Sequence, residues 1–98
     1  MVTVLTTHAF DAWFGALADK QAKARVQVRI DRLEHGNAGD WKPVGAGVSE
    51  MRIDYGPGYR VYFTKRGLEV VILLAGGDKA SQARDIRAAQ RLAKEWEQ

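Results

Sequence analysis

The segment RIDYGPGYRVYF, residues 52 to 63, decides the fold because it joins two alternating runs through Gly56-Pro57-Gly58. Alternation with a period of two is typical of half-buried strands, and glycine and proline are typical turn residues. The segment therefore predicts a β-hairpin with strands over residues 48 to 55 and 59 to 65. If the three-residue turn is the whole loop, Tyr55 lies opposite Tyr59.

Counting outward from this turn sorts the hairpin side chains onto two faces of a sheet. The apolar face carries Met51, Ile53, Val61 and Phe63. The opposite face carries Glu50, Arg52, Asp54, Arg60, Tyr62 and Thr64. In this register Arg60 lies opposite Asp54, and Arg52 lies opposite Tyr62. We therefore expect both arginines and the tyrosine to share one exposed polar face.

Two interpretations of this polar face remain open. The first is a surface for single-stranded RNA, because arginine donates two parallel hydrogen bonds to a phosphate and tyrosine offers a ring for base stacking. The second is an ordinary solvent-exposed face, on which Arg60 forms an ion pair with Asp54 and Arg52 covers the ring of Tyr62.

Helices are predicted on both sides of the hairpin. Thr7 caps the first helix, and Asp19 caps the second, which ends at Gly36. Their apolar residues recur at helical spacing, namely Phe10, Trp13, Phe14 and Leu17, then Ala22, Val26, Ile30 and Leu33. A last helix is predicted over Ser81 to Glu97, and its inward residues are Ile86, Ala89, Leu92, Ala93 and Trp96.

Three further strands complete the prediction. Val2 to Leu5 forms a first strand, the turn-rich segment 36 to 47 contains a short strand at Lys42 to Val44, and Glu69 to Ala75 forms a strand buried on both faces. The order predicts an α+β fold in which an N-terminal strand and a helical hairpin pack on a small antiparallel sheet, followed by a C-terminal helix. With 98 residues, 46% of them apolar, we expect a single domain over residues 1–98.

Composition narrows the classes of function. Fifteen Lys and Arg against twelve Asp and Glu give a net charge of +3, which mildly favours phosphate-bearing partners. The chain has no cysteine and two histidines, so we expect no metal site and no cofactor. The longest apolar run, Val70 to Ala75, is far shorter than the roughly 20 residues of a membrane-spanning helix. We therefore expect a soluble, cytoplasmic protein without a membrane partner.

Basic residues follow the hairpin. Gly76-Gly77-Asp78-Lys79 is predicted as a turn in which Asp78 or Ser81 caps the last helix and Lys79 adds a positive charge near the hairpin. The last helix carries a basic ridge, which consists of Arg84, Arg87, Arg91 and Lys94. The ridge is interpreted either as a surface for a phosphate backbone or an acidic partner, or as a solvated helix face.

The strings VSEMRIDYGPGYRVYF and VVILLAGGDKASQARDI resemble the RelE/ParE superfamily of bacterial toxins, and within it the HigB-like addiction module killer proteins. The resemblance covers nearly the whole chain and implies a RelE-like fold. It also implies a toxin of a type II toxin–antitoxin module that inhibits growth as an mRNA interferase, a metal-independent endoribonuclease that cleaves mRNA on the ribosome. The implied partners are the ribosome, the mRNA and a cognate helix-turn-helix antitoxin.

The resemblance also implies functional residues. Arg60 in GYRVYF matches the sheet arginine of the family, and Arg52 matches a basic position on the preceding strand. With Lys79, which corresponds to the basic residues after the last strand of the family, and Tyr62 of the polar face, the predicted catalytic set is Arg52, Arg60, Tyr62 and Lys79. The further RNA-binding residues are predicted from the basic residues of this chain and are Lys65, Arg84, Arg87 and Arg91. In the implied reaction a ribose 2′-OH attacks the adjacent phosphate, and Tyr62, Asp54 or Lys79 accepts its proton.

The sequence departs from many members that cleave mRNA on the ribosome. Those members place a catalytic tyrosine or histidine after the last strand, whereas no tyrosine or histidine follows Tyr62 here. Two alternatives therefore stay open. One is a ParE-like toxin that inhibits DNA gyrase by protein contact, and the other is a degenerate toxin that only binds its antitoxin.

Overall fold

The computed structural model describes residues 1–96, in which a five-stranded sheet lies between helices. The elements are β1 Thr3–Thr6, α1 His8–Gly15, α2 Lys20–Glu34, β2 Trp41–Gly45, β3 Val48–Ile53, β4 Tyr59–Arg66, β5 Val70–Asp78 and α3 Gln82–Glu95. A short 3-10 helix, Lys79–Ser81, precedes α3. The order of the elements agrees with the prediction, and β2 includes the short strand predicted at Lys42 to Val44. Glu97, the predicted end of the last helix, lies outside the described residues.

Capping residues begin and end the helices where the sequence predicts. Thr7 accepts a hydrogen bond from the backbone N–H of Phe10 at 3.0 Å, at the start of α1. Asp19 accepts from two N–H groups in the first turn of α2 at 2.9 and 3.2 Å. Asp78 caps the 3-10 helix in the same way. Gly36 follows α2 with a φ of 88°, a left-handed value that glycine adopts without strain.

The sheet is mixed rather than antiparallel. Its strand order is β1-β5-β4-β3-β2, and β1 is parallel to β5, with Thr3 opposite Val70 and Leu5 opposite Ile72. The other three pairings are antiparallel. The prediction of an antiparallel sheet is therefore wrong for the first strand. The reason is topological. The antiparallel meander of β2 to β5 sets the direction of β5, and in that direction β5 is parallel to β1 where the two strands pair.

The β3–β4 hairpin has the predicted faces in a register that differs by two residues. Arg52 lies opposite Arg60, whereas the prediction placed Tyr62 there. The loop is longer than predicted because Tyr55 leaves the ladder, and its phenol donates a hydrogen bond to Asp19 at the start of α2, at 3.0 Å. A shift of two residues returns each side chain to the same face, because the side-chain period of a strand is two.

Gly76 and Gly77 belong to β5 and not to the predicted turn. The close approach of a neighbouring side chain leaves no room for a Cβ at either position. A Cβ on Gly76 would collide with the indole of Trp13 from α1, and a Cβ on Gly77 would collide with the carboxylate of Asp85 from α3. The two glycines therefore let a helix approach the backbone of β5 on each face of the sheet.

Each face of the sheet forms its own apolar core. The first core, under α1 and α2, contains Phe10, Val26, Ile30, Leu33, Met51, Ile53, Val61, Phe63, Val71 and Leu73. The second core, under α3, contains Val48, Tyr62, Ile72, Leu74, Ala75, Ala89 and Ala93. Residues 71 to 75 of β5 are buried and contribute to both cores, as predicted for that strand.

Trp96 does not face inward as predicted, because α3 ends at Glu95 and the indole is 43% exposed. The helix instead approaches the sheet through the small side chains of Ala89 and Ala93. Among the described residues, none of the helices combines the length and the apolar composition that crossing a membrane requires.

Candidate functional site

The polar face of the β3–β4 hairpin brings three reactive side chains together. Glu50 on β3 lies directly opposite Tyr62 on β4, and Arg60 is two residues before Tyr62 on the same side of its strand. Arg52, opposite Arg60, lies on this side too. We name Glu50, Arg60 and Tyr62 the buried polar cluster, since they combine a carboxylate, a guanidinium and a phenol under α3.

The helix α3 covers this face, and the prediction of an exposed polar surface is wrong for the described structure. Glu50 and Tyr62 are fully buried, and only 12% of the Arg60 side chain is exposed. The physical reason is the close packing of Ala89 and Ala93 against the apolar residues of the second core. A nucleic acid therefore has no direct access to Tyr62 in this conformation.

Three side-chain hydrogen bonds hold α3 on the sheet. Near its start, Gln82 Nε2 donates to Glu50 Oε2 at 2.8 Å. In its middle, Gln90 Nε2 donates to a backbone carbonyl of β2 at 2.9 Å. Near its end, Arg66 Nη2 from β4 donates to the carbonyl of Ala93 at 2.9 Å. The helix is thus attached along its whole length by polar contacts as well as by small apolar side chains.

The buried polar cluster is poorly satisfied. Arg60 Nε lies 4.0 Å from Glu50 Oε2, which is close enough for a charge interaction and too far for a hydrogen bond. Within residues 1–96, Glu50 Oε1, Arg52 Nε, Arg60 Nε and the Tyr62 hydroxyl have no protein partner at normal hydrogen-bonding distance, although the Tyr62 hydroxyl lies close enough to Glu50 for this carboxylate to raise its pKa. Each unpaired buried polar group costs about 1–3 kcal/mol of stability. Unless these atoms find a further partner, the cluster adds little to the stability of the folded state.

Tyr62 is held in its protonated form. Burial raises the pKa of the Tyr62 phenol far above its ordinary value, and the negative charge of Glu50 raises that pKa further. The positive charge of Arg60 opposes this shift without cancelling it. In this position Tyr62 is a neutral phenol whose hydroxyl can donate a hydrogen bond, and it is a poor candidate for the proton acceptor of the implied reaction.

Arg52 points away from the cluster. Its Nη2 forms an ion pair with Asp40 Oδ1 at 2.9 Å, and its side chain is 40% exposed. Neither pair of the ordinary-surface interpretation forms among the described residues: Arg60 does not meet Asp54, and Arg52 does not cover Tyr62. Both pairs depended on the hairpin register that the structure shifts by two residues.

Lys79 is exposed on the 3-10 helix, next to the hairpin loop. A Cβ on Gly58 of that loop would lie 3.5 Å from the Cβ of Lys79. The sequence therefore placed Lys79 correctly near the tip of the hairpin. The ammonium group stands outside the buried polar cluster, so of the four predicted catalytic residues only Arg60 and Tyr62 lie in it.

The predicted RNA-binding residues fall on two sides of the sheet. Arg84, Arg87 and Arg91 are exposed on the outer surface of α3, and 78% of the Arg84 side chain is accessible. Lys65 is exposed as well, but it follows Phe63 by two residues on β4 and therefore lies on the side of the first core. The structure thus brings the three arginines together and separates Lys65 from them.

Glu50 and Gln82 were missed as members of the site. The sequence placed Glu50 on the polar face without a role, because an alternating pattern marks charged residues as exposed. The sequence does not indicate a role for Gln82, because a side-chain amide near the start of a helix can form hydrogen bonds with many different groups. The useful signal was the pairing of a carboxylate with an aromatic residue across the hairpin, which is visible once the register is known.

The buried polar cluster is suited to the stabilisation of an anion. The Arg60 guanidinium keeps its positive charge at physiological pH and can stabilise an anion. Glu50 can orient this guanidinium, and the Tyr62 phenol can donate a hydrogen bond. In the part of the chain that the structure describes, no three His, Asp or Glu side chains lie close enough to hold a metal ion.

Comparison with known proteins identifies relatives of the whole chain. Residues 12–95 match the protein family described as "Phage derived protein Gp49-like". The chain is 48% identical over 94 residues to an "Uncharacterized protein" of Haemophilus influenzae, an alignment that covers 96% of this chain and 95% of that protein. No solved structure matches the chain.

Proposed function

Because the chain belongs to the Gp49-like family, a RelE-like toxin-type family of toxin–antitoxin systems, we propose that it is a bacterial type II toxin that cleaves mRNA on the ribosome. We place it in the HigB-like group, whose partner is a helix-turn-helix antitoxin encoded beside the toxin. Membership of the family supports the assignment as a toxin. The buried polar cluster supports the assignment of RNA cleavage.

The observation that supports cleavage is the unsatisfied state of the cluster. Folding places Arg60 and Tyr62 beside Glu50 and leaves a polar atom of each without a partner. Native proteins keep few such atoms, and those that persist require an explanation such as a functional role. A phosphate group would supply acceptors for both Arg60 and Tyr62, so its binding would satisfy polar atoms that are buried in the free protein.

The cluster suits phosphodiester cleavage by a ribose 2′-OH. Arg60 stabilises the additional negative charge on the phosphate, and the Tyr62 phenol donates a hydrogen bond to a phosphate oxygen. Arg52 and Lys79, at the edges of the hairpin, bind flanking phosphates. Asp54 and Lys79 are the remaining predicted candidates for the proton acceptor, since Tyr62 holds its own proton.

Access to the cluster requires a movement of α3. The first turn of this helix blocks Arg60 from solvent, and the hydrogen bond from Gln82 to Glu50 holds it there. We propose that the RNA binds when this turn moves away from the sheet. The exposed arginines of α3, Arg84, Arg87 and Arg91, then contact the phosphate backbone.

Induction of the chain alone in bacteria, with sequencing of 5′ transcript ends, tests the proposal. The wild-type chain is expected to arrest growth and to produce new 5′ ends within coding regions. Arg60→Ala removes the charge that stabilises the reacting phosphate and is expected to abolish both effects. Arg60→Ala also leaves Glu50 buried without its cation, so Arg60→Ala/Glu50→Gln serves as a second variant whose folding does not suffer from a lone charge.

Controls separate loss of function from loss of folding. Circular dichroism and binding to the product of the adjacent open reading frame must match the wild type in the double variant. Lys20→Ala, at the exposed start of α2, is expected to arrest growth as the wild type does. If the folded double variant still arrests growth with the same transcript ends, the cleavage site lies elsewhere.

A second candidate function is inhibition of DNA gyrase by protein contact. The covered polar face favours it, because such a toxin needs no accessible cleavage site. Induction would then cause DNA damage and leave transcripts intact. Induction without growth arrest would indicate a degenerate toxin that only binds its antitoxin.

A further inference from the structure

A groove of about 530 Å³ lies between α2 and the β3–β4 hairpin, on the side of the sheet opposite α3. The α2 wall of the groove includes Arg25, Val28, Arg29 and Arg32, which recur at i, i+3, i+4 and i+7 and therefore form one stripe of the helix. Ile53 and Asp54 form the hairpin wall. We name this feature the α2 groove.

The α2 groove carries uncompensated positive charge. Helix α2 contains five Lys and Arg against two Asp and Glu, so its net charge of +3 equals the net charge of the whole chain. Among the described residues, none of the basic side chains of α2 forms an ion pair. Asp54 is the acidic side chain among the groove-lining residues, which include three arginines, and Asp40 acts on Arg29 from outside the groove.

Two of the three arginines are held in position by the fold. Arg29 donates to the carbonyl of Arg52 at 2.5 Å and to those of Ala38 and Asp40 at 3.1 and 3.2 Å. The guanidinium of Arg25 lies over the ring of Tyr55, 4.6 Å from its centre. Side chains that are already ordered lose little conformational entropy when a partner binds. The groove is therefore preorganised for anionic groups.

Val28 adds an apolar surface between these charges. It is 46% exposed, and together with Arg32 it also borders an adjacent depression of about 300 Å³. From Gln21 to Arg32 the stripe spans about 16 Å along the helix axis. This length suits about three turns of a partner helix that alternates acidic and apolar residues.

We propose that the α2 groove binds an acidic amphipathic segment of the antitoxin, with carboxylates on Arg25 and Arg32 and an apolar side chain on Val28. This inference rests on the proposed function, because that function supplies the antitoxin. A protein segment fits the groove better than RNA does. The apolar surface of Val28 offers nothing to a phosphate, and Arg25 already occupies a face of the Tyr55 ring on which a base would stack.

Isothermal titration calorimetry with the product of the adjacent open reading frame as the probe tests the proposal. Arg25→Glu/Arg32→Glu is expected to weaken binding at least ~100-fold, because two attractive contacts become repulsive. Val28→Asp, at a half-exposed helix position, is expected to weaken binding by about tenfold or more. Arg29 is left unchanged in both variants because its three backbone hydrogen bonds hold the loop after α2.

Matched controls exclude a general charge effect. Lys42→Glu/Lys94→Glu changes the net charge of the chain by the same amount at sites outside the groove, and its binding is expected to stay within about threefold of the wild type. Thermal unfolding must show that the groove variants are folded. A short single-stranded RNA serves as a second probe, and its binding is expected to be unchanged by Val28→Asp.

The outcomes separate this inference from the proposed function. Folded groove variants that bind the adjacent product as the wild type does overturn the α2 groove assignment, while growth arrest by the wild-type chain leaves the toxin assignment standing. Groove variants that lose the RNA probe and keep the adjacent product also overturn it, and indicate a nucleic-acid surface. A wild-type chain that neither binds the adjacent product nor arrests growth overturns both.

Discussion

The two faces of the sheet are both buried, but they are buried in different ways. The first core joins α1 and α2 to the sheet through ten apolar residues. The second core joins α3 through small and medium side chains and encloses Glu50, Arg60 and Tyr62, each with an unpartnered polar atom. Apolar burial drives folding, whereas unpaired polar burial opposes it.

This difference indicates that the first face of the sheet mainly stabilises the fold and that the second face holds the functional groups. The first core is the larger of the two, with ten buried apolar residues against seven, and we expect it to contribute more to the stability of the fold. The second face retains polar groups that water or a ligand could satisfy, so we expect that part of the cost of displacing α3 and its three side-chain hydrogen bonds is recovered when these groups find partners. Local opening of this kind is typical of regions that carry function.

The largest expected effect comes from truncation in the first core. Phe63→Ala is expected to lower the free energy of unfolding by about 3–5 kcal/mol, because it removes a buried ring and leaves a cavity. Guanidinium denaturation followed by circular dichroism measures the change. The adjacent Tyr62, equally buried on the other face, provides the matched ring truncation as Tyr62→Ala, which is expected to cost less. Equal losses at both positions would contradict the division between the faces.

Substitutions of Gly76 and Gly77 in β5 are expected to cause a loss of stability of intermediate size. Gly76→Ala forces a methyl group into the indole of Trp13 within the first core, and is expected to cost about 1–3 kcal/mol. Gly77→Ala meets the carboxylate of Asp85, which can rotate away, so the loss of stability is expected to be smaller.

Hydrogen exchange distinguishes these two variants further. Gly77→Ala is expected to speed exchange in the first turns of α3 and to leave the amides of α2 protected. A loss of protection that is as large in α2 as in α3 would show that the second face is not the weaker one.

The smallest effect is expected at the Tyr62 hydroxyl. Tyr62→Phe removes an unpartnered buried group and is expected to change stability by less than about 1 kcal/mol at neutral pH, or to increase it. Because the folded-state pKa of Tyr62 is raised, its contribution to stability is present below the ordinary value of 10.0 and is lost as the pH rises above it. Denaturation between neutral pH and the alkaline range is therefore expected to show a weaker pH dependence in the variant. An unchanged alkaline slope would contradict the raised pKa.

Much of the fold follows from local patterns in the sequence. The caps at Thr7 and Asp19 and the helical spacing of the apolar residues placed α1 and α2 correctly. Strand alternation sorted the hairpin faces even though the register was wrong by two residues. The error came from Tyr55, whose hydrogen bond to Asp19 is a contact between distant parts of the chain that local patterns do not contain.

The candidate site was less predictable than the fold. Arg60 and Tyr62 were placed on the correct face, but their burial depends on where α3 docks. The apolar stripe of α3 shows that the helix must pack on something, and does not show which face of the sheet receives it. The burial of Glu50, which an alternating pattern marks as exposed, follows from the same docking event.

The two glycines of β5 predict how relatives of this chain vary. A residue larger than glycine at position 76 requires a smaller residue than Trp13, and the same exchange links position 77 to Asp85. Position 76 should therefore covary with position 13 in α1, and position 77 with position 85 in α3. The two pairs should vary independently of each other. Such paired substitutions would record the contact of each helix with the sheet over the evolution of the family.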